Sequence, residues 1–184
     1  MTTRDLGYVA LFAALIVALG IVPAIPLAAG VPITLQSLGV MLAGLILGPK
    51  RGALAALVVI ALVALGLPVL AGGRGGLGVF AGPTTGYLVG WAVGAFVTGF
   101  AAMVFDVEGA SSAKRIAGLA GAAILGGLVV VHGLGILWLA LYSGLGFAKA
   151  GMVSIAFVPG DLIKAVIAGL VTFQVRRAYA LERK

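Results

Sequence analysis

The sequence contains no cysteine, a single histidine and only five acidic residues among its 184 positions. The absence of cysteine excludes disulfide bonds, thiolate metal sites and a cysteine nucleophile. Charged residues of either sign make up 9% of the chain, whereas a soluble domain carries about 25%. So few charges do not cover a water-facing surface, which excludes an ordinary soluble domain, a disordered tail and a DNA-binding module.

Apolar residues are abundant instead. They make up 62% of the chain, the mean hydropathy is +1.26, and the apolar runs are long and continuous. We therefore predict an all-α integral membrane protein surrounded by membrane lipid. The net charge of +7 does not indicate nucleic acid as a partner, because the chain has no basic stripe with interleaved aromatic residues.

Six apolar runs predict six transmembrane helices in a single domain that covers residues 1–184. The predicted spans are residues 6–24, 34–47, 52–70, 85–105, 116–142 and 159–179. The second run is short for a full crossing, and the fifth is long enough to tilt or protrude. The longest loops are expected at residues 23–32, 71–84, 106–115 and 143–158.

The basic residues predict the orientation of these spans, because cytoplasmic loops of membrane proteins collect lysine and arginine. With the N-terminus inside, nine of the 12 basic residues fall on the cytoplasmic side. Arg74 and Lys149 fall on the opposite side, and Lys164 falls within the sixth span. This asymmetry predicts that both termini are cytoplasmic. The nine residues are Arg4, Lys50, Arg51, Lys114, Arg115, Arg176, Arg177, Arg183 and Lys184.

Two charged residues stand in the sixth span, where an ionisable group costs about 2.5–3.5 kcal/mol on insertion scales. Asp161 and Lys164 are three residues apart, so on a helix they share a face. Pro159 suits the first helical position and puts Asp161 in the first turn, where the helix dipole favours a carboxylate. Two interpretations are open: a carboxylate neutralised by its own lysine, or a ligand-binding pair near the outer leaflet.

Arg74 is the second anomaly, because it lies on the side that the positive-inside rule leaves poor in arginine. Glycines surround it, among them Gly75, and they let the backbone approach a ligand closely. The guanidinium suits bidentate recognition of a carboxylate. The alternative interpretation is a flexible loop whose arginine faces solvent or lipid phosphate.

Aromatic side chains gather at the outer ends of the fourth and fifth spans, where Tyr87, Trp91, Trp138 and Tyr142 lie. They suit either an interfacial aromatic belt or a flat pocket wall for a small ring system. We take Tyr87 and Trp138 as candidates for ligand contact.

Three further polar residues are harder to interpret. His132, in the fifth span, is expected to be a hydrogen-bonded packing residue, since no second histidine or nearby carboxylate indicates a metal site. Gln36 and Thr34 suit either a pocket or hydrogen bonds between helices.

Small residues recur at four-residue spacing on two spans, and such stripes let helices approach closely. The first span carries Ala10, Ala14 and Ala18, which we interpret as a partner interface, with internal packing as the alternative. The fourth span carries glycines at positions 86, 90 and 94, for which packing within the chain is at least as strong an interpretation.

The sequence gives little support for catalysis. It contains no GxxxxGK[ST] motif, which excludes ATP hydrolysis through a P-loop. Asp161 is the one clear acid within a span, so a paired-carboxylate mechanism and a carboxylate-rich metal site both lack members. We expect a non-enzyme with no catalytic residue, no cofactor and no bound metal.

Five stretches of the sequence resemble the BioY family, the biotin-binding S components of energy-coupling factor (ECF) transporters. They are VPITLQSLGV at residues 31–40, GPKRGA at 48–53, AGGRGGLG at 71–78, GPTTGY at 82–87 and PGDxxK at 159–164. Together they are spread over most of the chain, and their combination is far more specific than any one of them.

The resemblance implies a six-helix protein of the bacterial inner membrane that captures biotin from outside. In this family a transmembrane coupling protein and cytosolic ATPases supply the energy. By the same resemblance, Asp161 and Lys164 match the ligand-binding pair, and Arg74 belongs to the loop that covers the pocket. The alanine stripe of the first span is then the surface presented to the coupling protein.

Three other functions stay open at this point. A different small vitamin as substrate would keep the fold and change the pocket. An intramembrane lipid-modifying enzyme would use Asp161 as a general base. A structural scaffold or channel would need neither Asp161 nor Lys164 for ligand affinity.

Overall fold

The computed structural model describes residues 1–26, 30–144 and 146–179. These residues form eight α-helices, one short 3-10 helix and one π-helical segment, with two isolated β-bridges and no longer strand. The prediction of an all-helical fold is confirmed for this part of the chain. The α-helices are α1 (Thr3–Leu19), α2 (Gln36–Leu47), α3 (Pro49–Ala64), α4 (Thr85–Phe105), α5 (Ser112–Ala123), α6 (Val131–Ser143), α7 (Gly146–Ile155) and α8 (Val158–Ala178).

Within the described ranges, three helices are long and apolar enough to cross a membrane: Thr85–Phe105, Ser112–Tyr142 and Val158–Ala178. The first coincides with the predicted fourth span. The second is continuous because the π-helical segment Ile124–Val130 joins α5 to α6. At about 1.5 Å per residue, the 21 residues of α4 extend about 31 Å, which matches the hydrocarbon core of a bilayer.

The segment between residues 143 and 158 differs from the predicted loop, because it contains α7. Gly144 and Gly146 take positive φ values of 63° and 74°, so the chain turns after α6 and a new helix begins. Ala150 and Ser154, four residues apart, form the buried face of α7, which packs against α6. The prediction of a loop was wrong because these two glycines mark only the turn, and a short helix follows directly.

The glycines of α4 face the long helix formed by α5, the π-helical segment and α6. A Cβ atom added at Gly94 would lie 2.6 Å from a methyl group of Val131 and 2.7 Å from the carbonyl oxygen of Gly126. A Cβ atom added at Gly90 would lie 3.1 Å from the Cα atom and the carbonyl oxygen of Val131. Packing within the chain, one of the two interpretations of this stripe, is therefore confirmed.

We expect Gly94→Ala to lower the free energy of unfolding by about 1–3 kcal/mol, because the added methyl group overpacks the contact between α4 and Val131. Gly133→Ala on α6 is the matched control, since a Cβ there meets no atom within 4 Å and alanine favours the helix. Thermal unfolding in detergent measures both variants. Equal melting temperatures for the two would contradict the close contact.

The outside of the bundle is apolar, as expected for helices in contact with lipid. Large apolar side chains are exposed along α4 and α8, among them Phe96, Phe100, Ile163 and Val166, which are 43–62% exposed. Soluble monomers rarely expose contiguous apolar patches larger than a few hundred Å². The alanine stripe of α1 also faces outward, because Ala10, Ala14 and Ala18 are all exposed.

A buried ion cluster ties four helices together at one end of the bundle. Asp106 follows α4 and is 1% exposed. It accepts hydrogen bonds from Arg115 of α5 at 2.7 Å and from Arg176 of α8 at 2.5 Å. Arg176 also donates to the carbonyl oxygen of Leu45 at 2.6 Å, near the end of α2.

A more exposed ion pair lies at the same end. Arg51, at the start of α3, pairs with Asp5 of α1 at 2.8 Å, and their side chains are 28% and 23% exposed. The starts of α1, α3 and α5 therefore meet the ends of α2, α4 and α8. Arg183 and Lys184, which belong to the predicted cytoplasmic set, lie outside the described residues.

Candidate functional site

A cavity lies at the opposite end of the bundle, where α2 and α8 begin. One wall is apolar and aromatic, with Tyr87, Leu88 and Trp91 of α4, Val131 of α6, and Phe157 just before α8. The polar side chains of the lining include His132, which packs against Tyr87 and Phe157 of this wall. The others are Thr34, Gln36, Ser37, Arg74, Thr84, Asp161 and Lys164.

Asp161 and Lys164 form the ion pair that their spacing predicts. Pro159 occupies the first turn of α8, and Asp161 is the acid of that turn. The Nζ atom of Lys164 lies 2.8 Å from Oδ1 of Asp161, and the two side chains are 7% and 4% exposed. A buried ion pair at the edge of a cavity fits both interpretations from the sequence, because the lysine neutralises the carboxylate and both residues line the cavity.

Residues at the start of α2 complete the surroundings of the lysine. Nζ of Lys164 also donates to the backbone carbonyl oxygen of Thr34 at 2.7 Å and to the hydroxyl oxygen of Ser37 at 3.0 Å. An ammonium group has three donors, so all three are used within the chain. A ligand oxygen that binds Lys164 must therefore replace one of these partners.

His132 is the cavity residue whose position the sequence predicts least well. The expected hydrogen bond is present, but it joins Nε2 of His132 to Oδ2 of Asp161 at 2.8 Å. This carboxylate lies 29 positions further along the chain, so no local pattern links it to His132. The signal in the sequence that points to this pair is that a histidine and an acid both lie inside predicted spans, where ionisable residues are rare and tend to pair. In the described ranges no group of three or more metal-binding side chains lies together.

The loop after α3 brings Arg74 to the cavity. Gly72, Gly73 and Gly76 take positive φ values of 69–88°, which glycine adopts readily. The half-buried Arg74 lines the cavity and donates from Nε to the carbonyl oxygen of Ala71 at 3.3 Å. Gly75 packs against the backbone of Leu67 and is not among the described lining residues.

Gln36 holds this loop against the bundle. Its amide nitrogen donates to the carbonyl oxygens of Ile16 at 3.2 Å and Val69 at 3.0 Å, and its amide oxygen accepts from the backbone of Ala71 at 3.0 Å. The interpretation of Gln36 as a partner in hydrogen bonds between helices is confirmed, and the same residue also touches the cavity.

The sequence predicts Tyr87 and Trp138 as aromatic ligand contacts, whereas the described lining of the cavity contains Tyr87 and Trp91. Tyr87 lines the cavity, and its hydroxyl group lies 2.5 Å from that of Ser154 on α7. Trp91 lines the cavity as well. Trp138 instead donates to the carbonyl oxygen of Gly82 at 2.9 Å, and it is outside the lining set of the described residues, so its contact with a ligand stays a prediction.

Comparison with known proteins agrees with this architecture. The family model described as "BioY family" matches residues 1–181. The chain belongs to the BioY family. The biotin transporter BioY of Rhizobium etli is 55% identical over 182 residues, which cover 98% of this chain and 97% of that protein. The biotin transporter BioY of Rhodobacter capsulatus is 54% identical over 177 residues, which cover 91% and 90%.

A solved structure shares the BioY architecture. It is the crystal structure of the S-component for biotin from an ECF-type ABC transporter, which is 34% identical to this chain. The TM-score is 0.86, and the match covers 96% of this chain and 95% of that one. The resemblance found in the sequence is thereby confirmed at the level of both family and fold.

Proposed function

We propose that this chain is the membrane-embedded biotin-binding subunit of an uptake system that a separate ATPase module energises. The observation that carries the proposal is the cavity, whose lining combines an aromatic wall with Arg74, Asp161 and Lys164. The BioY relatives are transporters, and the solved structure is a biotin S-component. These comparisons confirm the prediction of a transport subunit rather than an enzyme.

The chemistry of biotin matches the apolar and polar side chains that line the cavity. The vitamin has a ureido group with two N–H donors and one carbonyl oxygen, an apolar bicyclic ring and a carboxylate tail. In our proposal Asp161 accepts from a ureido N–H, and Lys164 and Arg74 meet the carbonyl and carboxylate oxygens. The ring lies against Tyr87 and Trp91.

Two further residues act at the margin of the proposed site. Gly75 lets the loop that carries Arg74 pack closely on Leu67, where a Cβ would collide with backbone. Trp138 fixes the chain at Gly82, just before α4, through its indole N–H. Gly75 and Trp138 lie outside the described lining of the cavity, and in our proposal they hold in place the segments that form it.

We propose that the chain crosses the bacterial inner membrane six times, with both termini in the cytoplasm. The supporting observation is that three basic residues, Arg51, Arg115 and Arg176, lie at the end of the bundle away from the cavity, each paired with an acid. Because cytoplasmic loops collect basic residues, this end faces the cytoplasm and the cavity opens to the outside.

The exposed alanine stripe of α1 is the proposed contact with the transmembrane coupling protein. We expect Ala14→Trp to reduce co-purification with the coupling protein and the ATPases about tenfold or more, since overpacking a close contact costs about 1–3 kcal/mol. Biotin affinity should stay within about twofold. Val166→Trp on α8, where Val166 is 49% exposed, is the control for a bulky side chain facing lipid. Unchanged co-purification of the Ala14 variant would reject the stripe as the contact.

Calorimetry on the purified chain tests the proposed function. We expect one molecule of biotin to bind per chain with saturation, and biotin amidated at its tail to bind more weakly because Lys164 or Arg74 loses the carboxylate. Thiamine and riboflavin serve as unrelated vitamins. If the folded chain binds one of them and not biotin, the transport class survives and the assigned substrate is wrong.

A further inference from the structure

His132 holds one oxygen of the Asp161 carboxylate while α2 and α8 hold the other. Nε2 of His132 lies 2.8 Å from Oδ2, with the histidine side chain 9% exposed. On the opposite side, Oδ1 lies 2.8 Å from Nζ of Lys164 and 3.3 Å from the hydroxyl group of Ser37. Three neighbours from three helices therefore fix the plane of the carboxylate.

The direction of the hydrogen bond follows from the ion pair. Asp161 is ionised beside Lys164, and a carboxylate only accepts, so the hydrogen lies on Nε2 of His132. This assignment holds for the neutral ring and for the imidazolium. Nδ1 is buried and has no hydrogen-bond partner among the described residues, so the contact with Asp161 is the polar interaction that this ring makes there.

Aromatic neighbours hold the imidazole ring in place. Tyr87 meets it edge-on, with ring centroids 5.6 Å apart and planes at 87°. Phe157 lies 5.4 Å away at 62°. Tyr87 is itself held by its contact with Ser154. The ring therefore has little freedom to turn, and its N–H stays directed at the carboxylate.

We propose that His132 is a positioning residue for biotin, acting through Asp161. A carboxylate offers about four acceptor sites, and the neighbours described above use three. By fixing Oδ2, His132 keeps the remaining site directed at the ureido N–H of the ligand. The inference rests on the proposed function, because it takes biotin as the ligand and Asp161 as its acceptor.

Amide side chains of two lengths test this role. The nitrogen of glutamine reaches the place of Nε2, whereas that of asparagine reaches only the place of Nδ1. We expect His132→Gln to bind biotin within about threefold of wild type, and His132→Asn to bind about 10- to 150-fold more weakly, the scale of a hydrogen bond to a charged group. Equal affinities for the two variants, each with an unchanged melting temperature, would overturn the proposal.

A double-mutant cycle separates positioning from packing. If His132 acts through Asp161, then Asp161→Asn combined with His132→Asn should lose no more affinity than Asp161→Asn alone. A packing role would make the two losses add, and that result would overturn the inference while leaving the proposed function intact. If wild type fails to bind biotin, the proposed function itself fails.

The wild-type chain offers a measurement that needs no variant. His132 is the single histidine, so ¹⁵N labelling of histidine gives one pair of ring nitrogen signals. We expect Nε2 to show the ¹⁵N chemical shift of a protonated nitrogen, both with and without biotin. The chemical shift of an unprotonated Nε2 would show that the ring does not donate to Asp161 and would overturn the proposal.

Discussion

Asp161→Asn is expected to weaken biotin binding by about 2–5 kcal/mol, roughly 30-fold to several thousand-fold. The carboxylate oxygens accept from Lys164 and His132 in a site only a few per cent exposed. An amide removes the negative charge and presents an N–H to a ligand that itself offers N–H donors. The loss should therefore exceed that of one neutral hydrogen bond.

Calorimetry with biotin measures this loss directly. Glu108→Gln is the matched control, because it makes the same acid-to-amide change at an exposed position in the loop between α4 and α5. Its affinity should equal that of wild type. If Asp161→Asn binds as tightly as Glu108→Gln, the carboxylate is not a ligand group and the scaffold interpretation gains support.

Asp106→Asn is expected to lower the free energy of unfolding by about 3–5 kcal/mol, because breaking a buried ion pair leaves uncompensated charge. Asp106 is the shared acceptor of Arg115 and Arg176. Without its charge, two guanidinium groups face each other where α4, α5 and α8 meet. Thermal unfolding in detergent should show a melting temperature roughly 10 °C lower.

Asp106→Asn should lower the stability of the fold without changing its affinity for biotin. The cluster lies at the end of α8 away from Asp161, so the folded fraction should bind biotin with wild-type affinity. Asp5→Asn is the control, since the pair of Asp5 with Arg51 is more exposed and exposed pairs contribute little. A melting temperature for Asp106→Asn no lower than that of Asp5→Asn would contradict the role of the cluster.

Features that depend on one segment were predictable from the sequence. The length of an apolar run predicted α4 at its observed bounds. The spacing of Asp161 and Lys164 predicted their contact, because residues three apart share a helical face. Pro159, with Asp161 two positions later, predicted the start of α8 to within one residue, because the helix begins at Val158.

Features that depend on how helices pack together were not predictable. Ser37 and Asp161 are 124 positions apart, and no local pattern shows that α2 and α8 begin side by side. The rotation of α6 depends on the π-helical segment Ile124–Val130, which changes the register of the helix. For that reason the sequence did not distinguish Trp91, which lines the cavity, from Trp138, which does not.

The most direct test of the account is to locate biotin in a crystal of the complex by the anomalous signal of its sulfur atom. The chain has no cysteine and four methionines, so one further sulfur peak identifies the ring. We predict this peak beside Tyr87 and Trp91, with a ureido nitrogen about 2.7–3.2 Å from an oxygen of Asp161. A sulfur peak outside the cavity, or a ureido group out of reach of Asp161, would contradict the account.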